Sequence, residues 1–180
     1  MSDDVIALMD HLGIDRADLI GYSRGGYISA TLMTRFPGRF NSVILAGVGA
    51  TMLRSRDGAR ERPATLASAM EADEGAAVRD PTGRAFREFA ERSGNDLQAL
   101  AAMQRSSRLG ANLAGLSETK LPVMVLIGDK DTLVGSGEDL AAAIPGAKLV
   151  KIPGDHLTAV VAPELKAAIT TFLPQHSPVP

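Results

Sequence analysis

Apolar positions along this chain fall into two alternating patterns. Val5, Leu8, Met9 and Leu12 stand at i, i+3, i+4 and i+7 and predict one face of a helix, started by Ser2 or Asp3 and stopped by Gly13. A short apolar run at Asp18–Tyr22 then predicts a strand, and a helix follows from about Gly26 to Arg35, ending near Phe36-Pro37-Gly38. Asn41–Val48 reads NSVILAGV, an almost unbroken apolar run of the kind that suits a parallel strand covered on both faces. After a polar middle region the alternation resumes. Leu121–Ile127 predicts a buried strand ended by Gly128, and Gly137–Ile144 a short helix stopped by Pro145-Gly146. Lys148–Ile152 predicts a further strand, turned by Pro153-Gly154, and Pro163–Leu173 an amphipathic helix with proline in its favoured first turn.

Strands alternating with helices imply an α/β fold, here a mainly parallel sheet of about four strands with flanking helices. The middle region differs. Thr51–Arg62 is polar and arginine-rich, and helical patterns follow at Ala64–Ala72, Arg84–Arg92 and Asp96–Leu109, punctuated by Gly83, Gly94 and Gly110. The expected organisation is a core of residues 1–50 and 119–174, a helical insertion over 51–118 and a flexible tail at 175–180. Asp and Glu match the arginines of the insertion in number, so a solvated face is their simplest reading.

Composition narrows the function classes. Hydrophobic residues make up 45% and charged residues 22% of 180 residues, an ordinary balance for one globular core. A net charge of −2 gives no nucleic-acid surface. The absence of cysteine excludes disulfides, thiolate metal sites and thiol nucleophiles. Three histidines, two of them near the termini, leave no multi-histidine metal site. Asp3 and Asp4 stand where a secretory signal would be basic, and no apolar run is long enough to span a bilayer, so the expected location is the cytoplasm.

Reactive groups in parallel sheets gather beyond the carboxyl ends of the strands. Gly21-Tyr22-Ser23-Arg24-Gly25-Gly26 places a serine on an abrupt strand-to-helix turn, with glycines that give the backbone room at positions 21 and 25 and let the helix approach its neighbours at 26. Asp129 and Asp131 follow the third predicted strand and His156 the fourth, all on one sheet edge. A serine hydroxyl needs a base within hydrogen-bonding reach, and the base needs an acceptor that fixes its tautomer. His11 lies on the first helix and His176 in the tail, which leaves His156 as base. Either aspartate has the chemistry of the acceptor. The bland alternative is a Gly/Ser surface turn and a loop histidine beside Asp155; the common strand-end placement favours the chemical reading.

These three segments, Gly21–Gly26, Leu126–Asp131 and Ile152–His156, resemble the nucleophile, acid and histidine motifs of the α/β-hydrolase superfamily. The resemblance implies Ser23, Asp131 and His156 as the catalytic residues, since the acid there stands three residues beyond the strand-ending glycine. It implies the backbone N–H of Arg24 as an oxyanion donor, a nucleophile turn built from Gly21, Tyr22, Gly25 and Gly26, and a cap role for 51–118. The implied reaction is two-step acyl transfer on a small-molecule ester, with no cofactor or metal. Carbon–carbon bond hydrolases and serine perhydrolases of the superfamily share the triad, whereas the aspartate-nucleophile dehalogenases and epoxide hydrolases do not fit Ser23. The chain departs from the family in starting one helix before the Ser23 strand and in having no His-Gly pair. The N-terminal strands and the loop giving a second oxyanion donor are therefore expected to be missing, and a non-catalytic, binding fragment is the rival reading. The Asp18–Tyr22 strand is then expected at an open sheet edge, covered most simply by a homodimer.

Overall fold

The computed structural model describes residues 1–53, 61–73, 78–105 and 113–176. The chain divides into two compact units, 1–53 with 110–180, and 54–109. The arginine-rich stretch at 54–60, the end of the third insertion helix with Gly110, and residues 177–180 of the tail lie outside the described residues.

The first unit is built on four parallel strands, β1 (Ala17–Tyr22), β2 (Phe40–Ala46), β3 (Val123–Gly128) and β4 (Lys148–Ile152), ordered as they occur in the chain. Period-two alternation sends neighbouring side chains to opposite faces. Val43, Leu45, Val123 and Val125 pack on one face with Met9, Leu32, Met33, Leu140 and Ile144. These come from α1 (Ser2–His11), α2 (Arg24–Arg35) and the segment at and just beyond α7 (Gly137–Ala142). Ile44, Ala46, Met124 and Leu126 face the other way, toward Ile152, Ala159 and Phe172, the last residue of α8 (Pro163–Phe172). Both faces of β2 and β3 are thus buried, which is why these strands are continuously apolar. Each Val, Leu or Ile so buried contributes roughly 1.5–3 kcal/mol over leaving it exposed.

Register brings the strand ends level. Tyr22 pairs with Ala46, Ala46 with Leu126, and Gly128 with Ile152, so the segments after all four strands emerge along one edge. Among the described residues β1 pairs on one side only, with β2, and Ile20 on it is 45% exposed.

The second unit carries α3 (Glu61–Glu71), α4 (Pro81–Arg92) and α5 (Leu97–Arg105) around a small core of Ala67, Met70, Ala90 and Ala101. Pro63 falls within the first turn of α3, where its missing N–H costs nothing. Asp80 caps α4 by accepting from the Gly83 N–H. Arg87 donates to the Ala69 and Ala72 carbonyls at the end of α3, at 3.0 and 2.6 Å, and so ties the two helices.

Three expectations change. α1 buries Met9 and packs Val5 and Ile6 on the core, while Leu8 and Leu12 remain 56% and 59% exposed; the inward stripe is narrower than the apolar pattern. Its N-cap is Met1, without a side-chain capping bond, rather than Ser2 or Asp3. The inserted unit is shorter at both ends than 51–118. Met52, in a 3-10 turn at Ala50–Leu53, and Leu116, on α6 (Leu113–Glu118), are fully buried in the core of the sheet unit. The sequence shows no helical pattern at 113–118 because six residues are too few to display a period.

Candidate active site

β1 ends at Tyr22, α2 begins at Arg24, and the whole reversal falls on Ser23, whose φ is +53° and ψ −114°. Among the described residues it is the one non-glycine with positive φ. Holding an L-residue there costs on the order of 1–3 kcal/mol, and the surrounding structure must impose it. The Ser23 N–H donates to the Ala46 carbonyl at 2.8 Å, and the Ser23 carbonyl accepts from the Gly26 N–H at 2.9 Å. Both backbone groups are therefore tied, one to the sheet and one to the helix.

The neighbouring glycines act differently from one another. A methyl group at Gly21 would run into the Gly25 carbonyl and the Ser29 hydroxyl, so the strand and the first helical turn meet backbone to backbone. One at Gly26 would stand 2.7 Å from Val48, so this glycine does let α2 lie close to the segment after β2. At Gly25, apart from its chain neighbours and the backbone of its own helix, no described atom lies within 4 Å of that position. The room needed at this turn is made by Gly21, and it is the Gly25 backbone that fills it.

Ser23 Oγ lies 2.8 Å from His156 Nε2, and His156 Nδ1 lies 2.7 Å from Asp131 Oδ2. The Asp131 and His156 side chains are 0% and 8% exposed, so the pair is shut off from water. Asp131 Oδ1 accepts from the Leu133 N–H at 3.0 Å, which turns Oδ2 toward the ring. With Nδ1–H donating to a carboxylate, the neutral imidazole presents a lone pair at Nε2 to the Ser23 hydroxyl. The arrangement has the parts of an activated nucleophile: hydroxyl, base, and acceptor that fixes the tautomer.

Asp129 does not face the histidine. It is exposed, and its Oδ1 accepts from the Gly154 N–H at 3.0 Å, while its own N–H donates to the Ile152 carbonyl at 2.8 Å. Its part is to bind the segment after β3 to the segment after β4. Gly128 is needed beside it because a side chain there would collide with the Gly154 carbonyl. The loop carrying His156 is closed further by Asp155, whose Oδ1 accepts from the Leu157 and Thr158 N–H groups and from the Thr158 hydroxyl. The Thr158 hydroxyl and backbone bonds hold the Asp155 carboxyl below its ordinary range. Asp and Thr three residues apart are a local-turn signal that the sequence carried and that the motif reading passed over.

Arg24 opens α2, where the first-turn N–H groups point outward from the helix and favour negative charge. Its guanidinium is partly buried, and desolvation lowers its pKa. Tyr22 contributes more than turn geometry: its hydroxyl donates to the His156 carbonyl at 2.8 Å. Among the described residues no three His, Asp or Glu side chains converge as a metal site requires, and no helix is long and apolar enough to cross a membrane.

Comparison with known proteins agrees with this layout. The family model described as the alpha/beta hydrolase fold matches residues 1–84. The 3-oxoadipate enol-lactonase 2 of Acinetobacter baylyi is 48% identical over 50 residues, a stretch spanning 28% of this chain and 19% of that protein. A crystal structure of a hydrolase from Pseudomonas aeruginosa superposes with a TM-score of 0.73 at 27% identity, covering 95% of this chain and 69% of the other. The enol-lactonase from Burkholderia xenovorans has the same fold, with a TM-score of 0.66 at 23% identity over 95% of this chain and 70% of its own. A serine on the strand-to-helix turn after β1, a four-stranded parallel sheet between helices, and these matches together show that the chain has the α/β-hydrolase fold.

Proposed function

We propose that this chain is a serine hydrolase of small carboxylic esters, lactones included, working through Ser23, His156 and Asp131. The observation that carries the reading is the continuous Ser23–His156–Asp131 chain of contacts at 2.8 and 2.7 Å, with its buried end on the carboxylate. The enol-lactonases among its relatives are the reason to include cyclic esters, whose acyl carbon poses the same chemistry.

In this reading Ser23 Oγ attacks the carbonyl carbon as its proton passes to His156 Nε2. Asp131 stabilises the resulting imidazolium and keeps the ring oriented. The carbonyl oxygen, now carrying the negative charge, takes a hydrogen bond from the Arg24 N–H at the helix N-terminus. Collapse of the tetrahedral intermediate breaks the C–O bond, and the leaving alkoxide receives the proton from Nε2. For a lactone that alkoxide stays tethered to the acyl group. Water then attacks the acyl-enzyme, giving its proton to Nε2, and Ser23 recovers the proton as the carboxylic acid leaves. A two-fold dimer through the β1 edge is a companion proposal, and sedimentation of the wild type beside Ile20→Lys checks it: a monomer in both cases would dispose of it.

The test is hydrolysis of a nitrophenyl acetate and of an unsubstituted γ-lactone by the wild type and by Ser23→Ala. Turnover that falls by about a thousandfold or more in the variant supports the reading. Equal background rates in both would leave a binding protein with an idle triad.

A further inference from the structure

We propose that Tyr22 is a positioning residue for His156: its hydroxyl locks the loop bearing the base to the strand that bears the nucleophile. The inference rests on the serine-hydrolase reading of Ser23 and His156.

The argument starts from the sheet order. Ser23 follows β1 and His156 follows β4, the two outer strands, with β2 and β3 between them. Three bonds fix the His156 loop to the segment after β3: Gly154 N–H to Asp129 Oδ1, Lys130 N–H to the Gly154 carbonyl at 3.1 Å, and Asp129 N–H to the Ile152 carbonyl. They leave the loop's distance from β1 to be set through two intervening strands. The Tyr22 hydroxyl closes that gap directly, 134 positions along the chain from the carbonyl it reaches. Tyr22 is also the residue before Ser23, so the same backbone that presents the nucleophile anchors the base.

The tyrosine is itself held. Its ring packs with the buried cluster of Ile44, Ala46, Met124 and Leu126, and lies 5.6 Å from the His156 ring, tilted by 47°. Across from it Gly47 has a φ of +59°, and a methyl group there would stand 2.8 Å from the Tyr22 ring. Glycine at that position satisfies the backbone angle and clears the space for the ring in one residue. Burial first, and then the nearby Asp131 and Asp155 carboxylates, raise the phenol pKa to about 12, so the hydroxyl remains a donor at any working pH. A bond of this kind fixes position rather than charge. Removing it should loosen the alignment of Nε2 with the Ser23 hydroxyl, and reactions of this type lose rate steeply with small misplacements.

Tyr22→Phe removes the hydroxyl and keeps the ring. The experiment measures, for wild type, Tyr22→Phe and Ser23→Ala, the rate of Ser23 phosphonylation by a fluorophosphonate, kcat and KM on the nitrophenyl ester, and the melting temperature. The expected result is a fall of about tenfold in both phosphonylation rate and kcat in Tyr22→Phe, with KM unchanged. The melting temperature should stay well above the assay temperature, so that loss of folded protein does not account for the fall. A phosphonylation rate and kcat within about twofold of wild type would overturn the inference. So would a raised KM at constant kcat, which assigns Tyr22 to substrate binding. A wild type that neither labels at Ser23 nor turns over the ester overturns the serine-hydrolase reading and takes this inference with it, a result distinct from either of those.

Discussion

Ser23 Oγ and His156 Nε2 lie 2.8 Å apart although the strands that precede them form opposite edges of the sheet. The contact is made above the sheet, by chain that has left it. Ser23 is held at the first residue beyond β1, while His156 stands four residues beyond β4, on a loop long enough to fold back across the ends of β2 and β3. The two residues are 133 positions apart. Their approach therefore depends on the whole parallel register, with Tyr22, Ala46 and Leu126 level, and not on any local motif.

The two aspartates after β3 separate by experiment. Asp131→Asn keeps the shape beside His156 but lets the amide favour the wrong tautomer, and is expected to cut kcat about a thousandfold to ten-thousandfold with little change in KM. Asp129→Asn keeps a side-chain oxygen for the Gly154 N–H and is expected to stay within about tenfold of wild type. Steady-state kinetics on one ester decides, and equal losses in both variants would contradict the assignment.

The turn glycines make a second contrast, this time in stability. Gly21→Ala drives a methyl group into the Gly25 carbonyl and the Ser29 hydroxyl, where the backbone partner has no room to withdraw. A loss of about 1–3 kcal/mol is expected in urea unfolding. Gly25→Ala adds a methyl group into open space on the second residue of a helix, where alanine is the better helix former, and is expected to be neutral or stabilising by up to about 1 kcal/mol. Sensitivity of the same size at both positions would refute this account of the turn.

Much of this architecture is legible in the sequence, for identifiable reasons. Asn41–Val48 and Leu121–Ile127 read as buried parallel strands because helices cover both their faces and leave no polar alternation. The Gly21–Gly26 and Ile152–His156 segments mark their turns through residues that few other structures require. What escapes the sequence is long-range or too short to be periodic. Nothing near Asp129 says that its carboxylate will meet an N–H 25 positions on, nor does Tyr22 announce a carbonyl acceptor at His156. The Leu8 and Leu12 side chains fit a helical stripe in sequence, yet only the placement of α1 on the sheet determines that Val5, Ile6 and Met9 are the residues turned inward.

Leu116 tests where the inserted unit ends. Its side chain is fully buried in the cluster that includes Leu32, Val43, Leu45 and Val125. Leu116→Ala is expected to destabilise the sheet unit by about 2–5 kcal/mol, the cost of lost burial plus a cavity. Hydrogen exchange gives the readout: the slow amides of Val43–Ala46 should exchange faster in the variant. Unchanged protection there would mean that 113–118 does not pack into the core of the sheet.

Tyr22 predicts an alkaline limb of stability. Its phenol has a pKa of about 12 in the folded chain against an ordinary 10.0, because burial and the Asp131 and Asp155 carboxylates oppose the phenolate. Between those values the folded chain retains a proton that the unfolded chain has released. The unfolded state binds fewer protons there, so unfolding becomes easier as pH rises, and the contribution of Tyr22 is complete below about pH 10 and lost toward about pH 12. The informative quantity is the difference between the two proteins. Urea unfolding of wild type and Tyr22→Phe at about pH 8.5 and about pH 11, on either side of the ordinary phenol value, should show wild type losing more stability than the variant over that interval. Parallel loss in the two proteins would mean that the Tyr22 phenol is not buried beside the Asp131 and Asp155 carboxylates.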